Sequence, residues 1–421
     1  MPRGAGWSSG GVSVTEHTPE IVSPLVDHVA GASTEDGSGT DFRTARHYGA
    51  PLVEQTRIDE GDTGVVDGWD GSAILVTGPE AASWLNGFIS QKIDAIPEGS
   101  ATHGLLLDAQ GRVEHLFGVA AVAPDTLLLD VGSCTGADDT ALLDFLRKMI
   151  FWAQVEVEPA DLVRVSVVNP GPDVGAVIDP ATGLARAGAA SPLPAVADDL
   201  VAYWSTRTCG GRPVVDLWVA PDNQIPVWDA LVAEGARPTG GWALDALRVR
   251  DRWPELGVDT DERLIPHEVT VFLGADVLAA GEATRLAEDT ALPTDTAVHL
   301  NKGCYRGQET VSRVHNLGRP PRQLVVLQLD GSAQRAPETG APVTAGGRTV
   351  GRIGRTVQDA DFGPVALALL KRQVIEKLAA GADVPPLSVD GIDASVDPDD
   401  VRVDTSARPG KAAVDRLKGR A

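Results

Sequence analysis

Gly104-Leu-Leu-Leu-Asp-Ala-Gln-Gly-Arg-Val-Glu-His-Leu-Phe-Gly-Val-Ala-Ala-Val122 holds two apolar runs separated by Asp108-Ala-Gln-Gly111. An acid able to bond its own backbone, followed three residues later by a glycine, is turn chemistry, so the stretch predicts a β-hairpin. Thr126 to Val131 adds another run of strand length, and Ser72 to Thr77 one more. Hairpins join antiparallel neighbours directly, whereas a parallel doubly wound sheet needs a long crossover between strands. The region therefore reads as α+β.

Outward from the hairpin, strands and helices continue to mix. Pro79 opens a helix with Ala82, Leu85, Phe88 and Ile89 on one side. A further helix is expected from Asp139 to Ile150, followed by strands near 153–158 and 161–168. Pro213 to Val219 reads as a strand, and residues 223–234 and 241–251 as helices. Beyond Pro321 the pattern changes. Gln323 to Leu329, Gly347 to Val357 and Pro364 to Leu370 are short β-type runs between Gly, Pro and Asp, and helical periodicity nearly vanishes. A small all-β barrel or jelly roll is the expectation.

At 421 residues the chain exceeds one ordinary core. Residues 1–45 are rich in Gly, Ser, Thr and acids with few large apolar side chains, a composition that cannot offset its ordering entropy, so a disordered tail is expected. The folded region is expected over 46–320, with an Ala/Gly/Pro-rich loop at 181–199, then the barrel over 321–405. A flexible basic tail at 406–421 carries Arg408, Lys411, Arg416, Lys418 and Arg420.

The formal charge is −23, which argues against non-specific contact with nucleic acid or an anionic membrane. No apolar run approaches a spanning length, and Arg3 has no apolar segment behind it, so neither a membrane helix nor a secretory signal is expected. Three cysteines, Cys134, Cys209 and Cys304, form no CxxC pair. A disulfide framework or zinc site is not expected, and a reducing cytosol is the expected compartment. A monomer is expected.

Lys302-Gly-Cys-Tyr-Arg-Gly-Gln-Glu-Thr-Val311 stands apart from the rest. Gly303 and Gly307 suit a tight loop, and a short helix is expected from near Gly307 to Asn316-Leu-Gly318. Cys304 has cations at Lys302 and Arg306 and precedes that helix, and both features favour a thiolate. Asn301 to Arg322 holds five cations against Glu309 alone, a net +4 island suited to an anionic ligand. On these grounds alone an inert small cysteine and a solvated basic face are equally open. His299, five residues before Cys304, is a candidate partner for it.

Lys302-Gly-Cys-Tyr-x-Gly-Gln-Glu309, followed by Arg313, resembles the signature of the YgfZ-type folate-binding proteins. These are relatives of the glycine-cleavage T-protein (aminomethyltransferase) that serve iron–sulfur cluster assembly or repair. Weaker similarity runs from about 47 to 405, including Leu107-Asp-Ala-Gln-Gly-Arg-Val113 and Ile265-Pro-His-Glu268. The resemblance implies a T-protein-like multi-domain fold: two α+β subdomains, one ferredoxin-like, around a central folate channel closed by the C-terminal β-barrel. It implies tetrahydrofolate or a derivative as ligand, Cys304 as a functional thiol, and folate contacts from Lys302, Gly303, Tyr305, Gly307, Gln308, Glu309 and Arg313.

Two further positions carry over from the T-protein pattern. Asp216, in Val214-Val-Asp-Leu-Trp-Val219, matches the carboxylate that grips the pterin, since one carboxylate accepts from two adjacent N–H donors. Arg248, in Ala246-Leu-Arg-Val-Arg250, matches a helical arginine. Where the T-protein has paired aspartates, this chain has Glu114 and His115. A polar pair remains for folate, but classical aminomethyl transfer is not expected. The resulting expectation is a folate-binding accessory protein with iron–sulfur assembly or client partners. A folate-dependent aminomethyltransferase and a non-catalytic folate-binding adaptor stay open as alternatives, and with them whether the protein is an enzyme.

Overall fold

The computed structural model describes residues 22–35, 42–132, 139–171, 198–274, 296–333 and 335–401. In chain order the first body holds α1 (Leu25–His28), α2 (Pro51–Asp59), β1 (Gly64–Gly68), β2 (Ser72–Thr77), α3 (Ala81–Asn86), β3 (Ser100–Leu107), β4 (Val113–Ala123) and β5 (Thr126–Val131). It continues through α4 (Asp139–Lys148), β6 (Glu156–Ala160), β7 (Val163–Val168), β8 (Tyr203–Cys209), β9 (Arg212–Val219), α5 (Gln224–Ala233), β10 (Arg237–Pro238) and α6 (Gly241–Arg250). After α7 (Gln308–Leu317) come β11 (Arg322–Leu329), β12 (Pro342–Ala345), β13 (Arg348–Asp359), β14 (Gly363–Lys371), α8 (Arg372–Ala379), β15 (Leu387–Val389) and β16 (Ile392–Val396).

The Asp108–Gly111 turn closes as its composition requires. The Asp108 carboxylate accepts the backbone N–H groups of Gln110 and Arg112, both at 2.8 Å, and Gly111 takes φ +78°. The resulting β3–β4 hairpin sits inside one ten-stranded sheet of order β10-β1-β7-β9-β8-β3-β4-β5-β2-β6. Its pairs are antiparallel except β1–β10 and β3–β8, which makes it a mixed α+β sheet. The two expected α+β parts share this one sheet and are joined where β3 meets β8 at Ser100 and Thr206.

Period-two alternation divides each strand between faces. Val215, Leu217 and Val219 of β9 pack with Val65, Val165 and Trp228 beneath α5. Leu127 and Leu129 of β5 pack with Ile74, Leu85, Leu142 and Leu146 beneath α3 and α4. The opposite, inward face carries Ala101, Ala120, Leu128 and Trp218. By the same alternation it also carries Asp130, Arg164, Ser166 and Asp216.

The C-terminal body is a closed barrel of order β11-β14-β13-β12-β15-β16 around Val325, Leu327, Val343, Ile353 and Leu370. The alternate residues of its wall, Leu324, Val326, Leu367 and Leu369, face outward into a second core shared with Ala246, Val249, Tyr305 and Val311. Each such side chain contributes roughly 1.5–3 kcal/mol when fully buried, so the barrel is welded to the first body.

Two expectations need correction. The tail does not run unbroken to residue 45, because α1 places Leu25 fully buried beside Val65 and Trp228, and Ser23 donates its N–H to Arg43 at 2.7 Å. A single leucine and a few backbone bonds order a stretch whose average composition is polar. The barrel segment is also not all-β, since α8 buries Val374 and Ile375 against it. The 181–199 loop and the 406–421 tail lie outside the described residues. Among those residues no helix is long and apolar enough to cross a membrane.

Candidate functional site

The motif loop is seated on the hairpin turn. Gly307 adopts φ +79° and ends the loop as α7 begins at Gln308. A Cβ on Gly307 would lie 2.7 Å from the Asp108 carbonyl oxygen, and one on Gly111 would lie 2.5 Å from Thr310 Cβ. Both glycines are therefore required by close backbone approach. Thr310 Oγ1 completes the contact by donating to the Gln110 carbonyl at 2.8 Å.

Lys302 is buried, and its Nζ donates to the carbonyls of Asn86, Ile89 and Gln91, each at 2.7 Å. Three donors meet three acceptors, so the ammonium is saturated. It also lies 5.2 Å from the centroid of the buried Tyr305 ring. Burial lowers the Lys302 pKa to about 7, with the Asp94 charge opposing. Burial likewise pushes the Tyr305 phenol up. Arg306 pairs with Glu114 at 2.6 Å and lies over the Phe145 ring at 5.3 Å.

Cys304 is an exposed free thiol, and Gly303 beside it is exposed with open space where a side chain would stand. Glu309 and Arg313 are exposed on α7, while Gln308 and His115 are half-buried. The cations flanking Cys304 in sequence are thus engaged elsewhere, Lys302 by carbonyls and Arg306 by Glu114. The +4 island is corrected in the same way. Arg322 pairs with Asp261 and Glu268, and Arg319 with Glu376, so acids distant in sequence neutralise most of it. His299 is tied by its backbone N–H to Ser90 at 3.0 Å, and no described hydrogen bond joins its ring to Cys304. Cys134 lies outside the described residues.

Asp216 lies on the inward sheet face, 3% exposed, where it accepts from Ser166 Oγ at 2.5 Å and Arg207 Nε at 2.6 Å. Burial alone would raise its pKa, but Arg207 and Arg164 outweigh this and hold the carboxyl below the usual range. Arg164 also pairs with Asp130 through Oδ2, and its guanidinium lies 5.9 Å from the Trp218 ring centroid. Asp130 Oδ1 and Trp218 Nε1 are buried without a hydrogen-bond partner among the described residues. At Asp130 burial outweighs Arg164 and raises the pKa. Asp130 carries only a faint signal in the sequence. The available signal was one acid in the apolar strand Leu127-Leu-Leu-Asp-Val131, in phase with the inward Leu128.

Arg248 is buried within α6, donating to Asp259 at 2.5 Å and to the Trp253 carbonyl at 2.9 Å. Asp245 at 3.3 Å and Glu255 at 4.0 Å also pair with it. Burial outweighs the nearby arginines and pushes Glu255 up to about 7. Asp216 pairs with Arg207 and Arg164, and Arg248 pairs with Asp259, Asp245 and Glu255. The structure therefore unites the motif with Glu114 and places Asp216 and Arg248 in two other clusters.

Residues 53–273 match the model of the GCVT N-terminal domain, more than half of the chain, and residues 322–404 match the CAF17 C-terminal beta-barrel domain. The chain belongs to the aminomethyltransferase superfamily, in its YgfZ/CAF17 type. An aminomethyltransferase of Stenotrophomonas maltophilia is 27% identical over 281 residues, covering 61% of this chain and 73% of that protein. A putative chloroplastic transferase of Arabidopsis thaliana is 25% identical over 351 residues, covering 80% and 70%. The crystal structure of glycine cleavage system aminomethyltransferase T from Bartonella henselae superposes with a TM-score of 0.63 at 18% identity, covering 90% of this chain and 96% of that one. The T-protein-like fold expected from the motif is thus present. In this superfamily member the Cys304 loop falls between the two matched segments. A cavity of about 360 Å³ lies elsewhere, between α6 and the barrel, lined by Trp242, Arg335, Arg355 and Pro364.

Proposed function

We propose that this chain is a folate-binding accessory protein of iron–sulfur cluster assembly or repair, with Cys304 as its working thiol. One observation carries the proposal: Cys304 is exposed on a loop whose surroundings are held fast. Lys302 anchors one side of that loop through three carbonyl bonds, and Gly307 anchors the other against the hairpin turn. A rigid base under an accessible thiol is what delivery of a sulfur nucleophile to a partner requires. The Cys304 thiol is free, which suits a reducing compartment.

Tetrahydrofolate is the ligand that the superfamily implies, and the inward face offers matching chemistry. A pterin edge presents adjacent N–H donors and acceptors. Asp130 Oδ1 is an acceptor and Trp218 Nε1 a donor, each buried without a hydrogen-bond partner among the described residues, and the Asp216 carboxylate lies on the same face. We assign pterin recognition to Asp216 with Asp130 and Trp218. Lys302, Gly303, Tyr305 and Gly307 instead shape the thiol loop, and Gln308, Glu309 and Arg313 present polar groups beside it. Bound folate would supply one-carbon or redox chemistry. The chain supplies the acceptors, the indole donor and the thiol.

The decisive experiment measures a cluster-dependent enzyme in cells lacking this protein. Wild type restores activity and Cys304→Ala does not, and full restoration by the variant ends the proposal. Separately, calorimetry with tetrahydrofolate should show Asp216→Ala weakening binding about ten- to a hundredfold, as loss of a charge-assisted contact implies. Unchanged affinity removes Asp216 from the site. Aminomethyl transfer is the second reading, favoured by the names of the relatives. Glu114 is already paired with Arg306, so we expect no methylene-tetrahydrofolate from an aminomethylated carrier protein.

A further inference from the structure

Phe151 and Trp152 stand on the connection between α4 and β6, 70% and 95% exposed, with ring centroids 6.4 Å apart. A single exposed apolar residue is ordinary, but two adjacent aromatic rings in water lose burial free energy that a partner surface can recover. They are also not isolated. The Met149 carbonyl, two residues earlier, accepts from Trp84 Nε1 at 3.3 Å. Trp84 meets Phe88 edge-on at 5.3 Å, and Phe88 meets Phe145 at 6.3 Å. Phe145 lies under the Arg306 guanidinium, two residues from Cys304. Trp84, Phe88 and Phe145 are each half-buried, so a ridge of aromatic rings leads from the segment that carries Phe151 and Trp152, joined to it through the Met149 carbonyl, to the thiol loop. Lys302 reinforces the connection, because its carbonyl cage is the turn that follows α3 and carries Phe88 and Ile89.

We propose that this ridge is the docking surface for a folded protein partner, with Trp152 and Phe151 as anchors that enter an apolar pocket on it. The partner is the assembly or client protein that must reach Cys304, and in that respect the inference rests on the function proposed above. The rim of the ridge selects this occupant. Glu80 accepts the Gln154 N–H at 2.6 Å, Arg147 pairs with Glu158 at 2.5 Å, and Asp144 and Lys148 are exposed beside them. An apolar centre inside a mixed-charge rim is the anatomy of a protein interface. A peripheral membrane anchor needs a rim dominated by cations, and carboxylates at this rim on a chain of −23 repel an anionic bilayer.

The test uses the full chain with benzoylphenylalanine in place of Gln154, irradiated in the cells that make it, and identifies the adduct by mass spectrometry. The captured protein is then purified and titrated by calorimetry into wild type and into Phe151→Ser/Trp152→Ser. The expected result is a heterologous protein that binds wild type and binds the double variant at least about tenfold more weakly. The variant should keep its Tm and tetrahydrofolate affinity, because neither ring is part of a core. Failure to form an adduct, an adduct only with a second copy, or equal affinity for the two forms overturns the proposal. So does flotation of wild type, lost in the variant, with phosphatidylglycerol–phosphatidylethanolamine vesicles. Rescue of the cluster-dependent enzyme by Cys304→Ala would remove the proposed function alone, since the titration judges the ridge without reference to clusters.

Discussion

Lys302 and Arg207 are both cations withdrawn from water, and the two regions that hold them satisfy them in opposite ways. Lys302 finds three neutral carbonyls, and burial lowers its pKa to about 7. Burial lowers the Arg207 pKa, but the charge and hydrogen bond of the Asp216 carboxylate, with the charges of Cys209 and Asp130, together outweigh it and raise the guanidinium's pKa. Dipoles replace lost hydration only in part, whereas an opposite charge more than replaces it. The thiol loop is therefore anchored by a group that titrates near neutrality, while the Asp216–Arg207 pair on the inward sheet face is locked in one ionisation state.

Removing a partner from the locked region should cost most. Arg207→Met leaves Asp216 buried with its second cation, Arg164, at 3.9 Å, and should destabilise the protein by about 3–5 kcal/mol in urea unfolding. A loss below about 1 kcal/mol would erase the contrast between the regions. Lys302→Met orphans three carbonyls without stranding a charge, so about 2 kcal/mol is expected by the same measurement.

The contrast sharpens with pH. A lysine whose folded pKa lies below its unfolded 10.5 sheds its proton in the folded chain while the unfolded chain retains it. The unfolded state then binds more protons, so the Lys302 contribution to stability rises with pH between about 7 and 10.5. Subtracting the unfolding curves of wild type and Lys302→Met across that window should expose this slope, and parallel curves would show that the ammonium keeps its ordinary pKa. The smallest effect belongs to the exposed pair. Glu114→Gln should change stability by less than about 1 kcal/mol while freeing Arg306 near the thiol. Alkylation of Cys304, measured against Cys209 by mass spectrometry, should then quicken about two- to fivefold. An unchanged ratio would mean that Arg306 does not reach the thiol.

Local chemistry made much of the fold legible. Asp108 and Gly111 announce their hairpin, Ser72 to Thr77 and Thr126 to Val131 are strands with those bounds, and α7 ends where Leu317-Gly318 suggested. Where few residues decide, averages misled. Leu25 anchors α1 within a polar stretch, and α8 hides in a run of strands because only Val374 and Ile375 mark its buried side.

What the sequence alone determined is therefore local: turn residues, strand and helix periods, and a glycine-flanked cysteine segment distinctive enough to indicate its superfamily. Which charges are free was decided only by tertiary structure. Lys302 reaches carbonyls more than 200 residues away, Arg306 meets Glu114 across 192 positions, and Asp130 meets Arg164 across the inward face. A side chain's charge is written in its residue type, but its availability depends on which dipoles and counter-charges folding brings within about 4 Å, a distance that residue order does not encode.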